Sequence, residues 1–206
     1  MTTRSQDDVR LRSWLEGDHY LLERTVGAPE MTEHLGGPES RDKMRERHQS
    51  YLATGEPGDG RMLVILAGAD RVPAGTHGYW EREWQGQIVW ETGWFVLPGF
   101  QGRGIATRAT IAMAELAWAD APGRPIHAFP SVANLASNAV CRKAGFRLLG
   151  PIDLEYPAGD PLLCNDWVLE PRDHTLDMVN QEDRSRHWDL NRGGRQAQGG
   201  SLRGLR

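Results

Sequence analysis

A glycine-dense bend in the middle of the chain constrains the fold more than any other segment. The stretch Pro98–Gly104 lies between an apolar run at Ile88–Leu97 and the segment Ile105–Ala119, where apolar residues recur every three or four positions. A strand that enters a helix through glycines directs unpaired backbone N–H groups and the positive end of the helix dipole to one point. The segment therefore predicts a strand, an anion-binding loop and a helix in succession.

The loop itself does not match the two best-known nucleotide-binding patterns. Gln101–Ala106 reads QGRGIA, which lacks the Gly-Lys-Ser/Thr ending of a P-loop. It also lacks the third glycine of a dinucleotide-binding fingerprint. We therefore exclude both classes of nucleotide-binding protein, and the neighbouring residues have to decide what the loop binds.

The hydrophobic pattern predicts an ordered series of strands and helices around this bend. Glycine-rich or polar turns separate the strands before the bend, which favours an antiparallel meander. Gly145 is placed to end the last helix as its C-terminal cap. The predicted strands are Val9–Ser13, Arg61–Ala67, Thr76–Trp84, Ile88–Leu97, Pro125–Pro130, Phe146–Leu149 and Leu163–Leu169, and the predicted helices are His19–Arg24, Glu39–Leu52, Ile105–Ala119 and Asn134–Ala144.

Composition excludes several classes of protein. The 206 residues carry a formal net charge of -4, so the whole molecule has no electrostatic attraction to nucleic acid or anionic lipid. No apolar run approaches the length of a membrane-spanning helix, and Met1–Arg12 lacks the apolar core of a signal peptide. Two cysteines without CxxC spacing indicate neither a disulfide scaffold nor a zinc site. We expect a cytoplasmic protein that binds no membrane, no nucleic acid and no metal.

The end of the chain differs from the rest. The hydrophobic pattern fades from Asp173, and Leu190–Arg206 contains five Gly, four Arg and no acidic residue. The sequence therefore predicts one domain over residues 1–172 and a flexible, polar, Gly/Arg-rich tail over residues 173–206.

Three ordered motifs resemble the GNAT superfamily of N-acetyltransferases over Val9–Pro171, in particular the branch that includes ribosomal-protein N-terminal acetyltransferases. The loop pattern [RQ]xxGx[GA] is met by Gln101, Gly104 and Ala106. The other two motifs are the strand residues Trp94–Pro98 and the NxxSxxxxxKxGF run from Asn134 to Phe146. The resemblance implies an α/β fold: a central, mixed, mostly antiparallel sheet of about seven strands, splayed at the cofactor site and flanked by helices.

The resemblance also implies acetyl-CoA as cosubstrate and gives roles to individual residues. The backbone of Phe95 and Val96 would pair with the pantetheine arm, and Asn134 would meet the same arm. An ordinary helix cap explains Asn134 nearly as well, and the two roles can coexist. Arg103 and Arg108 could add charge at the mouth of the site, or simply be solvated. The pyrophosphate would be held by the amides of Gln101, Gly102, Arg103, Gly104, Ile105 and Ala106.

Acetyl transfer to an amine requires a neutral nucleophile, stabilisation of the oxyanion and a proton for the departing thiolate. Glu91 lies ten residues before Gln101, where histone-acetylating members of the superfamily carry their base, while Glu81 and Glu83 are weaker candidates. An inert surface glutamate is the alternative for Glu91.

The acid of many superfamily members is a tyrosine in the helix after Asn134, and this chain has Asn138 and Cys141 in that region instead. Ser137 matches the serine of the N-terminal-acetylating branch and is our candidate acid, with water as the alternative. A helical cysteine without a paired histidine is typical of packing. We therefore expect direct transfer in a ternary complex rather than through an acetylated Cys141.

The acceptor is predicted to be a small-molecule amine, such as a polyamine or aminoglycoside, or a peptide N-terminus. Its amine is easier to deprotonate near pKa ~8 than near ~10.4, and an acidic protein suits a cationic partner. Four tryptophans, which either line the acceptor cleft or pack in the core, are Trp80, Trp84, Trp90 and Trp94.

Two further expectations concern the whole molecule. A homodimer is possible. The alternative to an acetyltransferase is a non-catalytic acyl-CoA-binding regulatory module.

Overall fold

The computed structural model describes residues 8–54, 59–155 and 159–171, and its central feature is one seven-stranded sheet. The strand order across the sheet is β1-β2-β3-β4-β5-β7-β6. All neighbouring pairs are antiparallel except β4 and β5, which are parallel. The strands are β1 Val9–Ser13, β2 Gly60–Ala67, β3 Val72–Trp84, β4 Gln87–Val96, β5 Ile126–Ala128, β6 Arg147–Glu155 and β7 Pro161–Leu169.

Helices flank this sheet. Ser40 and Asn134 cap the N-termini of the second and fourth helices with their side chains, and Gly145 ends the fourth in the left-handed conformation. Short 3-10 turns lie at Glu16–Asp18, Pro29–Met31 and Pro98–Phe100. The helices are α1 Tyr20–Glu23, α2 Arg41–Ala53, α3 Ile105–Asp120 and α4 Leu135–Ala144.

The two faces of the sheet carry separate cores. Alternation along β2 directs Leu63 and Ile65 to one face and Val64 to the other, as a pleated strand requires. The first face is covered by α3, whose buried residues include Met113. On the second face, Val64 packs in a cluster with Leu21 of α1, and residues of α2 pack against that cluster.

β4 and β5 separate soon after they meet. The ladder between them has two residue pairs, Trp90 with Ile126 and Glu91 with His127. The next residue of β5, Ala128, still pairs with β7. Within the described part of the chain, β4 therefore runs on from Thr92 to Val96 with a ladder partner on the β3 side and none on the β5 side. We call this gap the β4–β5 opening.

The predicted fold class is confirmed: the sheet is mixed, mostly antiparallel and seven-stranded, with helices on both faces. The short helix predicted at His19–Arg24 is one turn of α-helix, but three strand predictions were wrong in extent. The strand predicted at Thr76–Trp84 begins at Val72, that at Pro125–Pro130 is limited to Ile126–Ala128, and that at Phe146–Leu149 continues to Glu155 as β6. The tail predicted over residues 173–206 lies outside the described residues. Of the helices described, none is both long and apolar enough to cross a membrane.

Candidate active site

The loop between β4 and α3 has the backbone shape that its glycines predict. Gly102 and Gly104 have φ angles of 73° and 70°, in the left-handed region where a side chain adds strain. Gly104 is also the N-cap of α3, and no side chain caps the helix there. The first N–H groups of a helix have no acceptor within the helix. The loop therefore directs uncapped amide groups outward, as an anion site requires.

Arg108 supports this loop from inside. Its Nη2 donates to the carbonyl oxygen of Arg103 at 3.0 Å. A Cβ added at Gly104 would lie 3.1 Å from Nη1 of the same guanidinium. Arg108 is thus in contact with the loop's own backbone and shapes it, in addition to supplying positive charge. Arg103 is exposed, and its guanidinium lies 5.8 Å from the centre of the Phe100 ring.

The strand before the loop presents a free backbone edge. The N–H of Trp90 donates to the carbonyl of Pro125 at 2.8 Å, so even-numbered residues of β4 direct their amide groups toward β5. The N–H of Leu97 donates to Ala74, so odd-numbered residues face β3. The β3–β4 register is unbroken, which keeps this alternation through the whole strand. The N–H of Thr92 completes the short ladder with His127, and even-numbered Trp94 and Val96 consequently turn their amide groups into the β4–β5 opening.

Two of the residues predicted to bind acetyl-CoA therefore differ in orientation. Val96 faces the opening, and its carbonyl oxygen accepts a hydrogen bond from Nε2 of Gln101 at 2.8 Å. The carbonyl of Phe95 points at β3, so close to Gly75 that a side chain there would overlap with it. The Phe95 ring packs beside the apolar cluster under α1. Phe95 thus helps to position the strand, and the free amide groups belong to its neighbours.

The remaining predicted residues, Asn134 and Ser137, lie at the start of α4. Oδ1 of Asn134 accepts from the N–H of Ser137 at 2.9 Å, so Asn134 is the helix cap that the alternative interpretation described. Ser137 itself is half-buried. Asn138 is buried and structural, because its Oδ1 accepts from both Asn165 and Trp167.

Glu91 lies on the sheet face opposite α3 and is held in an ion pair. Its Oε2 accepts from Nη1 of Arg82 at 2.6 Å, and 19% of its side chain is exposed. Among the residues that the structure describes, Arg82 is the hydrogen-bond partner of Glu91. The charge of Glu91 and burial together raise the pKa of Cys164, with burial as the larger cause. Glu91 is thus in a partly enclosed site, close to a second strand's thiol.

Two of the four tryptophans lie at the core and two lie on the sheet face that carries Glu91. Trp90 is fully buried against α3, and Trp94 packs beside the same core. Trp80 and Trp84 lie on the face of Glu91. The Trp84 ring is 5.0 Å from that of Phe129, and the Arg82 guanidinium lies 5.1 Å and 4.8 Å from these two rings. The face with Glu91 is therefore lined by aromatic rings around an ion pair, a surface suited to cations.

Sequence reasoning missed a buried histidine and carboxylate beside this ion pair. Nδ1 of His127 lies 2.7 Å from Oδ1 of Asp166, and Oδ2 of Asp166 accepts from Nε1 of Trp84 at 3.0 Å. His127 and Asp166 are separated by 39 positions in the chain. The alternating pattern of a strand would have shown which face His127 occupies, but nothing in the sequence pairs it with Asp166.

Cys141 is part of the core. It is fully buried against Met113 and Phe146, and burial raises the pKa of its thiol to about 12. A thiol that resists ionisation is a poor nucleophile. Within the described ranges no group of His, Cys, Asp or Glu side chains is arranged to hold a metal ion.

Solved structures share this fold. An acetyltransferase from Salmonella typhimurium that modifies the N-terminal serine of a 50S ribosomal subunit protein superposes with a TM-score of 0.65, is 22% identical, and is matched over 81% of this chain and 96% of that one. Spermidine N-acetyltransferase from Vibrio cholerae, solved with CoA and spermine, gives a TM-score of 0.63 at 16% identity, over 79% of this chain and 95% of that one.

The sequence itself establishes the family. Residues 8–147 match the model of the acetyltransferase (GNAT) domain, and the chain therefore belongs to the GNAT family of acetyltransferases. A curated relative, aminoglycoside N(6')-acetyltransferase type 1 from Klebsiella pneumoniae, is 26% identical in an alignment 168 residues long, and the match covers 74% of this chain and 80% of the relative. The protein is thus an enzyme of the N-acetyltransferase class, as the resemblance implied.

Proposed function

We propose that this protein transfers an acetyl group from acetyl-CoA to a primary amine at the β4–β5 opening. The observation that carries the proposal is the conjunction of a free strand edge with an uncapped glycine loop at its end. Acetyl-CoA has an amide-rich arm that can pair with such an edge and a pyrophosphate that suits the loop. When bound, it supplies the acetyl group as a thioester.

The binding site is assigned to backbone groups more than to side chains. Trp94 and Val96 offer N–H groups to the pantetheine arm, and Phe95 holds the strand in place by packing. Asn134 contributes through its place at the start of α4. The diphosphate is assigned to the loop amides of Gln101, Gly102, Arg103, Gly104, Ile105 and Ala106. No metal takes part in this proposal.

Glu91 and Ser137 remain the predicted catalytic side chains. Glu91 attracts the cationic acceptor, and its ion pair with Arg82 must rearrange or share the carboxylate before Glu91 could take a proton. Ser137, half-buried at the start of α4, donates to the departing sulfur. Transfer is direct, since Cys141 is enclosed in the core.

The acceptor class is a cationic primary amine. Around Glu91 the charged groups are Arg82, Glu91 and Asp166, which leave a negative balance beside aromatic rings. Such a site favours a cation. The named acceptors of the relatives are an aminoglycoside and the N-terminal serine of a ribosomal protein, and one structural neighbour is a spermidine acetyltransferase. A cytoplasmic location and a possible homodimer also remain predictions.

Acceptor-dependent release of CoA thiol tests this function. We would supply acetyl-CoA with separate pools of aminoglycosides, polyamines, amino acids and short peptides, and include a sample without acceptor. We expect release with the pool that contains the cationic acceptor and none without acceptor. Binding of acetyl-CoA without release in any pool would contradict the proposal and favour the alternative, a non-catalytic acyl-CoA-binding module.

A further inference from the structure

The paired side chains of His127 and Asp166 lie at the closed end of the β4–β5 opening. His127 is the parallel-strand neighbour of Glu91, in the last residue pair before the two strands separate. Its side chain is 8% exposed and that of Asp166 is 2% exposed. Adjacent strands are about 4.8 Å apart, so the two residues share one small site.

The hydrogen bond to Asp166 determines which nitrogen of His127 is available. An ionised carboxylate is an acceptor only, so Nδ1 carries the proton and donates it to Oδ1 of Asp166. The lone pair of the neutral ring is then on Nε2. In the described ranges Nε2 has no protein partner, and the fully enclosed polar atoms without partners are Nδ1 of His77 and Nε of Arg108. Nε2 of His127 is therefore an acceptor that retains access from outside.

Two further contacts fix this geometry. The His127 ring stacks on that of Phe129 at 5.8 Å and 25°. The other oxygen of Asp166, Oδ2, accepts a hydrogen bond from Nε1 of Trp84 at 3.0 Å. A histidine oriented by a buried carboxylate is a general arrangement for accepting protons, because the carboxylate stabilises the imidazolium that forms. Glu91, in contrast, has one carboxylate oxygen already committed to Arg82.

We propose that His127, oriented by Asp166, is the proton acceptor for the attacking amine, and that Glu91 with Arg82 positions that amine. This inference rests on the proposed function. Nε2 takes one proton from the acceptor ammonium and leaves the nitrogen a lone pair. That lone pair forms the C–N bond while the C–S bond of the thioester breaks, and the sulfur leaves with the bonding electrons. Ser137 gives its proton to the sulfur, the second proton lost by the nitrogen replaces it on Ser137, and the proton on Nε2 returns to solvent.

The pH dependence of such a step involves the titratable and charged groups that lie near His127 on the described strands. These are Asp166 and Cys164 of β7, Glu91 of β4 and Arg82 of β3. Protonation of Nε2 removes the acceptor, so the turnover rate should fall at acidic pH. Loss of the His127 ring should abolish the acidic limb of the pH–rate profile. If His127 were only structural, that limb would remain in the variant.

The test compares His127→Gln with His77→Gln. His77 is also a buried strand histidine, but it lies on the α3 face, where its Nε2 is 3.0 Å from Oγ1 of Thr110. With an acceptor that the wild type acetylates, we expect His127→Gln to lower kcat about 100-fold or more and to lose the acidic limb of the pH profile. We expect His77→Gln to keep the wild-type kcat and the acidic limb of the pH profile. Each of the two variants should bind acetyl-CoA as the wild type does.

A readout without turnover covers the case in which His127→Gln does not fold. In nitrogen-15 NMR spectra of the free protein, His127 should show the tautomer protonated at Nδ1, and Asp166→Asn should alter that signal while the ring remains. Wild-type kcat and pH profile in His127→Gln, or an Nε2-protonated ring in the free protein, would overturn this inference alone. Absence of turnover by the wild type with every acceptor would instead contradict the proposed function.

Discussion

At the scale of single residues, the ion pair between Glu91 and Arg82 gives the predicted base a second role. A carboxylate that faces a guanidinium at 2.6 Å is partly neutralised before any acceptor arrives. An incoming ammonium can share the same carboxylate. Glu91 is therefore suited to hold a cation in place, whichever residue takes the proton.

Replacing Glu91 with Gln should lower turnover and leave acetyl-CoA binding nearly unchanged. We expect kcat/KM for the acceptor to fall by about tenfold or more, because the cation loses its charged partner. Initial rates and calorimetric titration with acetyl-CoA measure the two effects. Glu81→Gln is the matched control, since Glu81 is exposed and paired with Arg124 elsewhere. A variant that loses only acetyl-CoA affinity would show that Glu91 belongs to the cofactor site.

Sequence reasoning placed the backbone loop correctly but could not reach the contacts between strands. Gly104 and Asn134 were identifiable because turns and caps depend on neighbouring residues in the chain. Arg82 and Glu91 meet across a hairpin, and His127 meets Asp166 across 39 positions, so these pairs depend on strand register. A short apolar run such as Ile126–Ala128 does not specify its partners, and this is why the His127–Asp166 pair was missed.

At the scale of elements, the β4–β5 opening results from the lengths of two strands. β4 has ten residues and β5 has three. β5 pairs with β7 along its whole length and then ends, while β4 continues to the glycine loop. β6 is longer than its sequence pattern predicts. Gly150 and Pro151 interrupt the apolar pattern, yet the strand continues through a register shift at Leu148/Gly150, where Gly150 has a φ of 148°.

Gly104→Ala should weaken acetyl-CoA binding by distorting the loop. The alanine has to adopt the backbone φ of 70° that Gly104 has. Its Cβ would lie 3.1 Å from the Arg108 guanidinium, which contacts the loop backbone. Gly123→Ala is the control, because Gly123 has a φ of 81° and no atom within 4 Å of a built Cβ.

Both variants should lose about 1 to 2 kcal/mol of stability from the left-handed backbone. We expect only Gly104→Ala to bind acetyl-CoA at least about tenfold more weakly, as measured by calorimetry. Equal acetyl-CoA affinity in the two variants would show that the loop is not part of the binding site.

At the scale of the whole molecule, a buried histidine makes stability depend on pH. Burial lowers the pKa of His77 from 6.5 to about 3 in the folded protein. Between these values the unfolded chain binds a proton that the folded chain does not. The free energy of unfolding therefore falls as the pH decreases through this window, by up to about 1.4 kcal/mol per pH unit from this side chain.

Urea denaturation at pH 7.5 and pH 5.5 measures that contribution. The wild type should lose more stability between these two conditions than His77→Gln, by about 1 kcal/mol. The carboxyl groups of Asp18 and Asp120 have lowered pKa values, so their contributions are lost only at more acidic pH and do not enter this comparison. An equal loss in both proteins would mean that His77 is protonated in the folded state.

Amide hydrogen exchange, followed by NMR with and without CoA, tests the central claim that the free edge of β4 binds the cosubstrate. The account predicts an alternating response: the N–H groups of Trp94 and Val96 become protected, while that of Phe95, which already faces β3, does not change. The loop amides from Gly102 to Ala106 should be protected as well. Binding of CoA without added protection at Trp94 and Val96 would contradict the account and place the cosubstrate elsewhere.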